Sequence, residues 1–196
     1  KTTLLEGMLV GAVVASTDAA SVFSILRSRK LNLKGGLASM LEVESGSNDP
    51  IAYMLTIAVL TMMSTNGETS IVSMVAMQLI FGAGVGFALA FLSIFILKRI
   101  NFEIEGLYTI YVVAIVVLGY ALCQQIGGNG YLCVYIMGIM LGNTKIKYKR
   151  TLVHFFDGLS WIMQMILFFM LGLLSFPSQI PAIIVPAVLI SLFLIF

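Results

Sequence analysis

Apolar stretches of membrane-crossing length alternate with short polar breaks along almost the whole chain. The apolar windows run over 4–26, 37–63, 71–97, 107–126, 130–141, 152–176 and 182–196. A helix rises 1.5 Å per residue, so about 20 apolar residues cross a bilayer core. Five of the windows reach that length. The window beginning at Gly130 does not: it is short and lies between Gly128-Asn129 and Gly142-Asn143, so it is expected to be a tilted, thin or partly re-entrant element, with Leu141-Gly142-Asn143 as its end. The pattern predicts an all-α polytopic membrane protein of about seven membrane segments.

Composition agrees with the pattern. Hydrophobic residues make up 60% of the chain and charged residues 10%, against about 25% charged in soluble domains. Cys123 and Cys133 lack metal-ligand spacing and read as reduced thiols packed between helices. Nothing in the composition suggests a nucleic-acid partner or a cofactor; the lipid bilayer is the expected surroundings.

The placement of basic residues carries more information than the net charge of +2. Arg27, Arg29, Lys30 and Lys34 fall in the first break, Lys98 and Arg99 in the third, and Lys145, Lys147, Lys149 and Arg150 in the fifth. The second, fourth and sixth breaks contain no Lys or Arg. By the positive-inside rule, loops 27–36, 98–106 and 144–151 are expected to be cytoplasmic. That alternation requires the short Gly130 segment to return the chain to the cytoplasmic side. Lys1 then starts outside and the last apolar run stops at Phe196, which reads as a piece of a longer, transporter-sized chain.

Polar residues inside the spans supply the candidate chemistry. Glu44-Ser45-Gly46-Ser47-Asn48-Asp49-Pro50 lies within the second window. Asp49 is about 18 Å into a helix starting near Leu37, close to the midplane. A charged Asp there costs roughly 2.5–3.5 kcal/mol on insertion scales, so it is expected to face a cavity or a partner and to handle an ion or a proton. Ser16-Thr17-Asp18 lies at similar depth in the first window, about 20 Å from Leu4, and the antiparallel arrangement of the two spans lets the two carboxylates meet at one level. Pro50 has no N–H, so the Gly46 carbonyl loses its helical donor beside a flexible glycine; within lipid that carbonyl needs another donor or an ion.

Other polar residues read more plainly. Glu44 suggests a snorkelling or salt-bridged structural residue, and Asp157 a first-turn carboxylate suited to a helix N-terminus. Gln164 suggests an interhelical hydrogen bond, and His154 an interfacial residue. Gly82, Gly84 and Gly86 suggest a small face for close helix approach.

Taken together, Ser16-Thr17-Asp18-Ala19, Leu31-Asn32-Leu33-Lys34-Gly35-Gly36 and the Glu44–Pro50 run resemble the monovalent cation:proton antiporter family, most of all bacterial potassium/proton or sodium/proton exchangers of the cell-volume-regulation type. Asn129-Gly130-Tyr131-Leu132-Cys133-Val134-Tyr135 and Gly172-Leu173-Leu174-Ser175-Phe176-Pro177 extend the resemblance over essentially the whole chain. The resemblance implies an inverted-repeat antiporter fold with broken helices crossing near the midplane, of which residues 1–63 would be the first two core helices with the ion-binding motifs. Residues 64–151 would be helices of the central region, and 152–196 a helix and a truncated following helix of the second repeat. It places Thr17 and Asp18 at the helix crossing and makes Asn48-Asp49 the ion-binding pair, with Glu44 the partner of an arginine on a later helix. That arginine is not in this sequence.

The activity so implied is secondary transport: exchange of K⁺ or Na⁺ for H⁺ by competition for one carboxylate. Ionised Asp49 would bind the cation with help from Ser45, Thr17 and main-chain carbonyls, and protonated Asp49 would not. With Asn48 in place of a second Asp, the family pattern implies electroneutral exchange, a homodimer in the full-length protein and a bacterial inner-membrane location. Two alternatives remain at this stage. A channel would pass the cation without proton coupling, although no Thr-Val-Gly-Tyr-Gly filter occurs. An intramembrane aspartyl protease would use Asp18 and Asp49, but its Tyr-Asp and Gly-x-Gly-Asp motifs are missing.

Overall fold

The computed structural model describes residues 4–16, 34–64 and 70–195. Among them are seven α-helices and no strand: α1 (Leu4–Val14), α2 (Leu37–Ser64), α3 (Ile71–Arg99), α4 (Glu105–Gln125), α5 (Gly130–Asn143), α6 (Lys149–Leu174) and α7 (Ile180–Ile195). Short 3-10 turns at Lys34–Gly36 and Pro177–Gln179 lead into α2 and α7. By length and apolarity, α3, α4 and α6 are the described helices able to cross a membrane. α2 has the length, at 28 residues, but its acidic and amide residues dilute the apolar run. Three of the five expected full-length spans are thus met by described helices, and the first, 4–26, lies partly outside the described residues.

The limits of two helices matter for the polar residues beside them. The described part of the first span is helical only to Val14, with Ala15 in a turn and Ser16 in a bend. Ser, Thr and Asp side chains compete for backbone hydrogen bonds, and Ser16-Thr17-Asp18 begins where the helix stops. Second, α6 starts at Lys149, three residues before the expected Leu152, and has no acidic residue in its first turn. Asp157 therefore lies beyond reach of the N-terminal dipole, and that reason for its presence does not hold.

The chain divides into two compact units, residues 1–149 and 150–196. In the first, α3, α4 and α5 pack as a block, α1 lies on α2, and α2 touches α3 and α5. The block is held by close backbone approach. Gln78, Gly82, Gly86, Ala90, Ser93 and Leu97 recur every three or four residues and form the buried face of α3. A Cβ on Gly86 would stand 2.9 Å from the Cys133 carbonyl oxygen, and one on Gly82 would stand 3.0 Å from that of Asn129. Gly84 has open space around it. The small face thus consists of Gly82 and Gly86, because residues two apart on a helix point to opposite sides.

The core of the block joins Ala90, Ile115, Cys123, Cys133 and Met137. Both cysteines are free and fully buried, as their spacing suggested. Outside that core, large apolar side chains such as Val72, Phe91, Phe95 and Ile110 point outward. That is the inverse of a soluble domain and is what an integral membrane protein requires. The second unit consists of α6, the second 3-10 turn and α7, which runs through Pro186.

The turn between α4 and α5 is tight because each of its residues has a defined task. Gly127 takes a left-handed conformation (φ 81°), and the Gly127 and Gly128 amides donate back to the Gln124 and Cys123 carbonyls. Together these close α4 with a glycine cap. Asn129 then caps α5, its side-chain oxygen accepting from the Leu132 amide at 3.1 Å.

Candidate functional site

Helical periodicity sorts the Glu44–Pro50 run into two faces before any tertiary contact is considered. Ser45 and Asp49 are four residues apart and share one side of α2, whereas Glu44 and Asn48 share another. The structure pairs Glu44 with Asn48 accordingly, whereas Ser45 and Asp49 differ in burial. Asn48 Nδ2 donates to Glu44 Oε1 at 3.5 Å, and Ser47 Oγ donates to the Glu44 carbonyl at 2.8 Å. Ser45 is buried, at 4% exposure. Asp49 is exposed on the described surface, and its Oδ1 accepts a hydrogen bond from Ser16 Oγ.

The Ser16 contact comes from the end of α1, which packs on α2. Carbonyls in the last turn of a helix lack intrahelical donors and carry partial negative charge along the axis. α1 ends at Val14, two residues before Ser16, so a helix C-terminus approaches the Asp49 carboxylate. Carboxylate and hydroxyl are both oxygen donors, the type that hard monovalent cations accept. Thr17 and Asp18, the other two residues expected here, lie outside the described residues.

Pro50 does not break α2, which continues from Leu37 to Ser64. The backbone defect is confined to the donor that the Gly46 carbonyl lacks. Around that defect the helix is gripped from α5. The Asn129 amide donates to the Pro50 carbonyl at 3.0 Å, and the Tyr135 hydroxyl donates to the Val43 carbonyl at 3.0 Å. The Tyr135 ring closes on Gly46, where an added Cβ would come within 2.7 Å of it. Next to Pro50, Tyr53 stacks edge-on against Tyr131, with ring centroids 4.8 Å apart, and Tyr131 in turn meets Tyr120 at 5.4 Å.

Sequence reading thus located the motif but not its supports. Asn129 and Tyr135 fall in a motif whose pattern assigns them no role. An Asn directly before an apolar helix is a capping signal, which covers one of its bonds; nothing in the pattern announced the bond to Pro50. Glu44 has Asn48 as its described partner rather than a basic group. Among the described residues, no group of His, Cys, Asp and Glu is placed to hold a metal ion.

Comparison with known proteins follows the same lines. The family model described as sodium/hydrogen exchanger, transmembrane, matches residues 1–196. The chain is 39% identical over 194 residues to the K(+)/H(+) antiporter NhaP of Alkalimonas amylolytica, covering 98% of this chain and 34% of that protein. It is 37% identical over 190 residues to the K(+)/H(+) antiporter NhaP2 of Shewanella oneidensis, covering 95% and 33%. It is 27% identical over 192 residues to the Na(+)/H(+) antiporter NhaS2 of Synechocystis, covering 93% and 34%. The chain therefore spans about a third of the length of the curated relatives it matches. No solved structure matches it.

Proposed function

Because this chain belongs to the sodium/hydrogen exchanger family, we propose that it carries the ion-binding part of an antiporter that exchanges a monovalent cation for a proton, with Asp49 binding one or the other in turn. The observation that supports this reading most directly is the hydrogen bond from Ser16 Oγ to Asp49 Oδ1. It joins the two polar motifs of the chain at a single carboxylate, beside the end of α1. A carboxylate with one proton-sized and one cation-sized way of being neutralised can hold either, and not both.

Potassium is the favoured cation, since the relatives named for K⁺ are 37–39% identical and the one named for Na⁺ is 27% identical. Thr17, Asp18, Ser45 and Asn48 complete the proposed site, with Glu44 holding Asn48 and Gly46 and Pro50 shaping the backbone. Exchange through Asp49 alone is electroneutral, because Asn48 contributes no second titrating carboxylate. The full-length protein is expected to be a homodimer in the bacterial inner membrane. The relatives' names describe transporters coupled to protons, so this reading displaces both the protease and the uncoupled channel.

The deciding experiment follows cation-induced proton movement in everted vesicles containing the full-length protein. KCl and NaCl are added separately, for the wild type and for Asp49→Asn. Dissipation of the pH gradient by either salt, abolished by the substitution, is the expected result, with the larger response to KCl. Equal exchange by Asp49→Asn would remove Asp49 from the mechanism. A transport rate that depends on membrane voltage with Asn48 intact would overturn the electroneutral reading; Asn48→Asp should introduce such dependence.

A further inference from the structure

Asn129 makes four hydrogen bonds from a fully buried position. Its side-chain oxygen caps α5 through the Leu132 amide, and its carbonyl accepts from the Cys133 amide at 3.0 Å. Its own amide donates to the Gln78 carbonyl of α3 at 3.1 Å. That leaves the side-chain Nδ2, which donates to the Pro50 carbonyl across 79 positions of sequence. At 0% exposure each of these groups must find a protein partner. The first three bonds build and anchor α5. The fourth reaches the ion-binding helix.

The Pro50 carbonyl is a consequential place to hold. A residue preceding proline is disfavoured in the helical region, yet Asp49 sits in uninterrupted helix. Pro50 also removes one of the hydrogen bonds that would otherwise keep Asp49's turn in shape. Some tertiary contact must stabilise that turn, and the Asn129–Pro50 bond lies at the peptide next to it. A second grip, Tyr135 on Val43, lies at the other end of the motif. The two acceptors are seven residues apart on α2, about 10 Å, and the donors six apart along α5, about 9 Å. Antiparallel helices in that register are matched at both points. α5 is itself seated on α3 at Gly82 and Gly86.

We propose that Asn129 is a positioning residue for cation binding: by holding the Pro50 carbonyl, it fixes the Asp49 carboxylate relative to the α3–α4–α5 block. The inference rests on the assignment of Asp49 as the exchanging carboxylate. A site held in its binding geometry pays no ordering cost when the cation arrives. Releasing the grip therefore weakens cation binding and leaves the turnover of a saturated site largely intact.

Two substitutions separate this role from helix capping. Asn129→Ser keeps a capping oxygen but is too short to reach Pro50. Asn129→Thr likewise keeps a capping hydroxyl and is equally too short to reach Pro50, without placing a carboxyl group in the buried site. Each is assayed in the full-length protein in everted vesicles, by proton movement as a function of KCl concentration, beside wild type and Asp49→Asn. The expected result is a cation KM raised about tenfold, the weight of one hydrogen bond, with the maximal rate per folded molecule within about twofold of wild type, as a structural defect would not give. KM does not depend on how much protein folds, so a loss of yield leaves the readout intact. An unchanged KM in either variant, or a fall in maximal rate alone, overturns the positioning role while inactive Asp49→Asn upholds the site. Exchange by Asp49→Asn at the wild-type level overturns both.

Discussion

Ser16 and Asp49, 33 residues apart in the chain, are joined by a hydrogen bond from the serine hydroxyl to one carboxylate oxygen. The contact links the end of α1 to the middle of α2 and satisfies half of an acidic group that a membrane tolerates poorly. It also gives the carboxylate a partner that can change its allegiance. A hydroxyl donates to a bare carboxylate, and it offers its lone pairs to a cation that displaces the hydrogen.

Ser16→Ala should therefore alter cation affinity without abolishing exchange. A hydrogen bond to a charged group contributes about 1.5–3 kcal/mol, and the exposure of Asp49 on the described surface reduces that toward the lower end. The expected change in cation KM is about tenfold, against complete loss for Asp49→Asn. Exchange kinetics across a KCl series check it; wild-type kinetics in Ser16→Ala would show that the contact plays no part in binding.

Gly86 and Gly84 offer a test of helix packing within one turn. A Cβ on Gly86 meets the Cys133 carbonyl oxygen at 2.9 Å, whereas one on Gly84 meets nothing within 4 Å. Gly86→Ala should destabilise the protein by about 1–3 kcal/mol, as overpacking does. Gly84→Ala should be neutral or stabilising by up to about 1 kcal/mol through helix propensity. Thermal unfolding in detergent distinguishes them, and equal melting temperatures would contradict the close approach of α3 and α5.

The two cysteines report on the same core. Cys123 and Cys133 are both fully buried and unpaired, and the Cys133 Sγ lies 3.6 Å from the Gly119 carbonyl. In folded protein neither should react with a maleimide, and denaturation should make both reactive. Rapid labelling of the native protein would mean that α4 and α5 do not pack as described.

The orientation set by the basic loops can be read directly. In a cysteine-free background, Ser70→Cys at the start of α3 should react with an impermeant reagent added outside intact cells. Asn101→Cys, in the loop after α3, should react only in inverted vesicles. Asn101 accepts a hydrogen bond from Lys147 at 2.5 Å, which ties two of the basic loops to one side of the block. Labelling of both residues from the same side would refute the alternation of loops.

Hydrophobic runs located the helices to within a few residues wherever the pattern was long and unbroken. α3, at Ile71–Arg99, and α4, at Glu105–Gln125, lie close to the windows 71–97 and 107–126. Apolar length is a local property, and a membrane helix satisfies its backbone within itself. The site was legible in the same way only as a list of costly residues: Asp49, Asn48 and Pro50 stand out because polar groups and prolines are rare at that depth. Which side of α2 each faces also follows from the chain, since four-residue spacing puts Ser45 with Asp49 and Glu44 with Asn48.

What holds those residues in place was settled by tertiary structure. The Asn129 grip on Pro50 and the Tyr135 grip on Val43 bridge 79 and 92 positions, and both use main-chain carbonyls that carry no sequence signature. Gly82 and Gly84 look alike in the chain, yet only Gly82 lies under α5. A sequence records which groups are present and how often they recur. Which of them meet depends on the register of one helix against another, and that register is set by close packing between glycine-sized surfaces and by a few long-range hydrogen bonds.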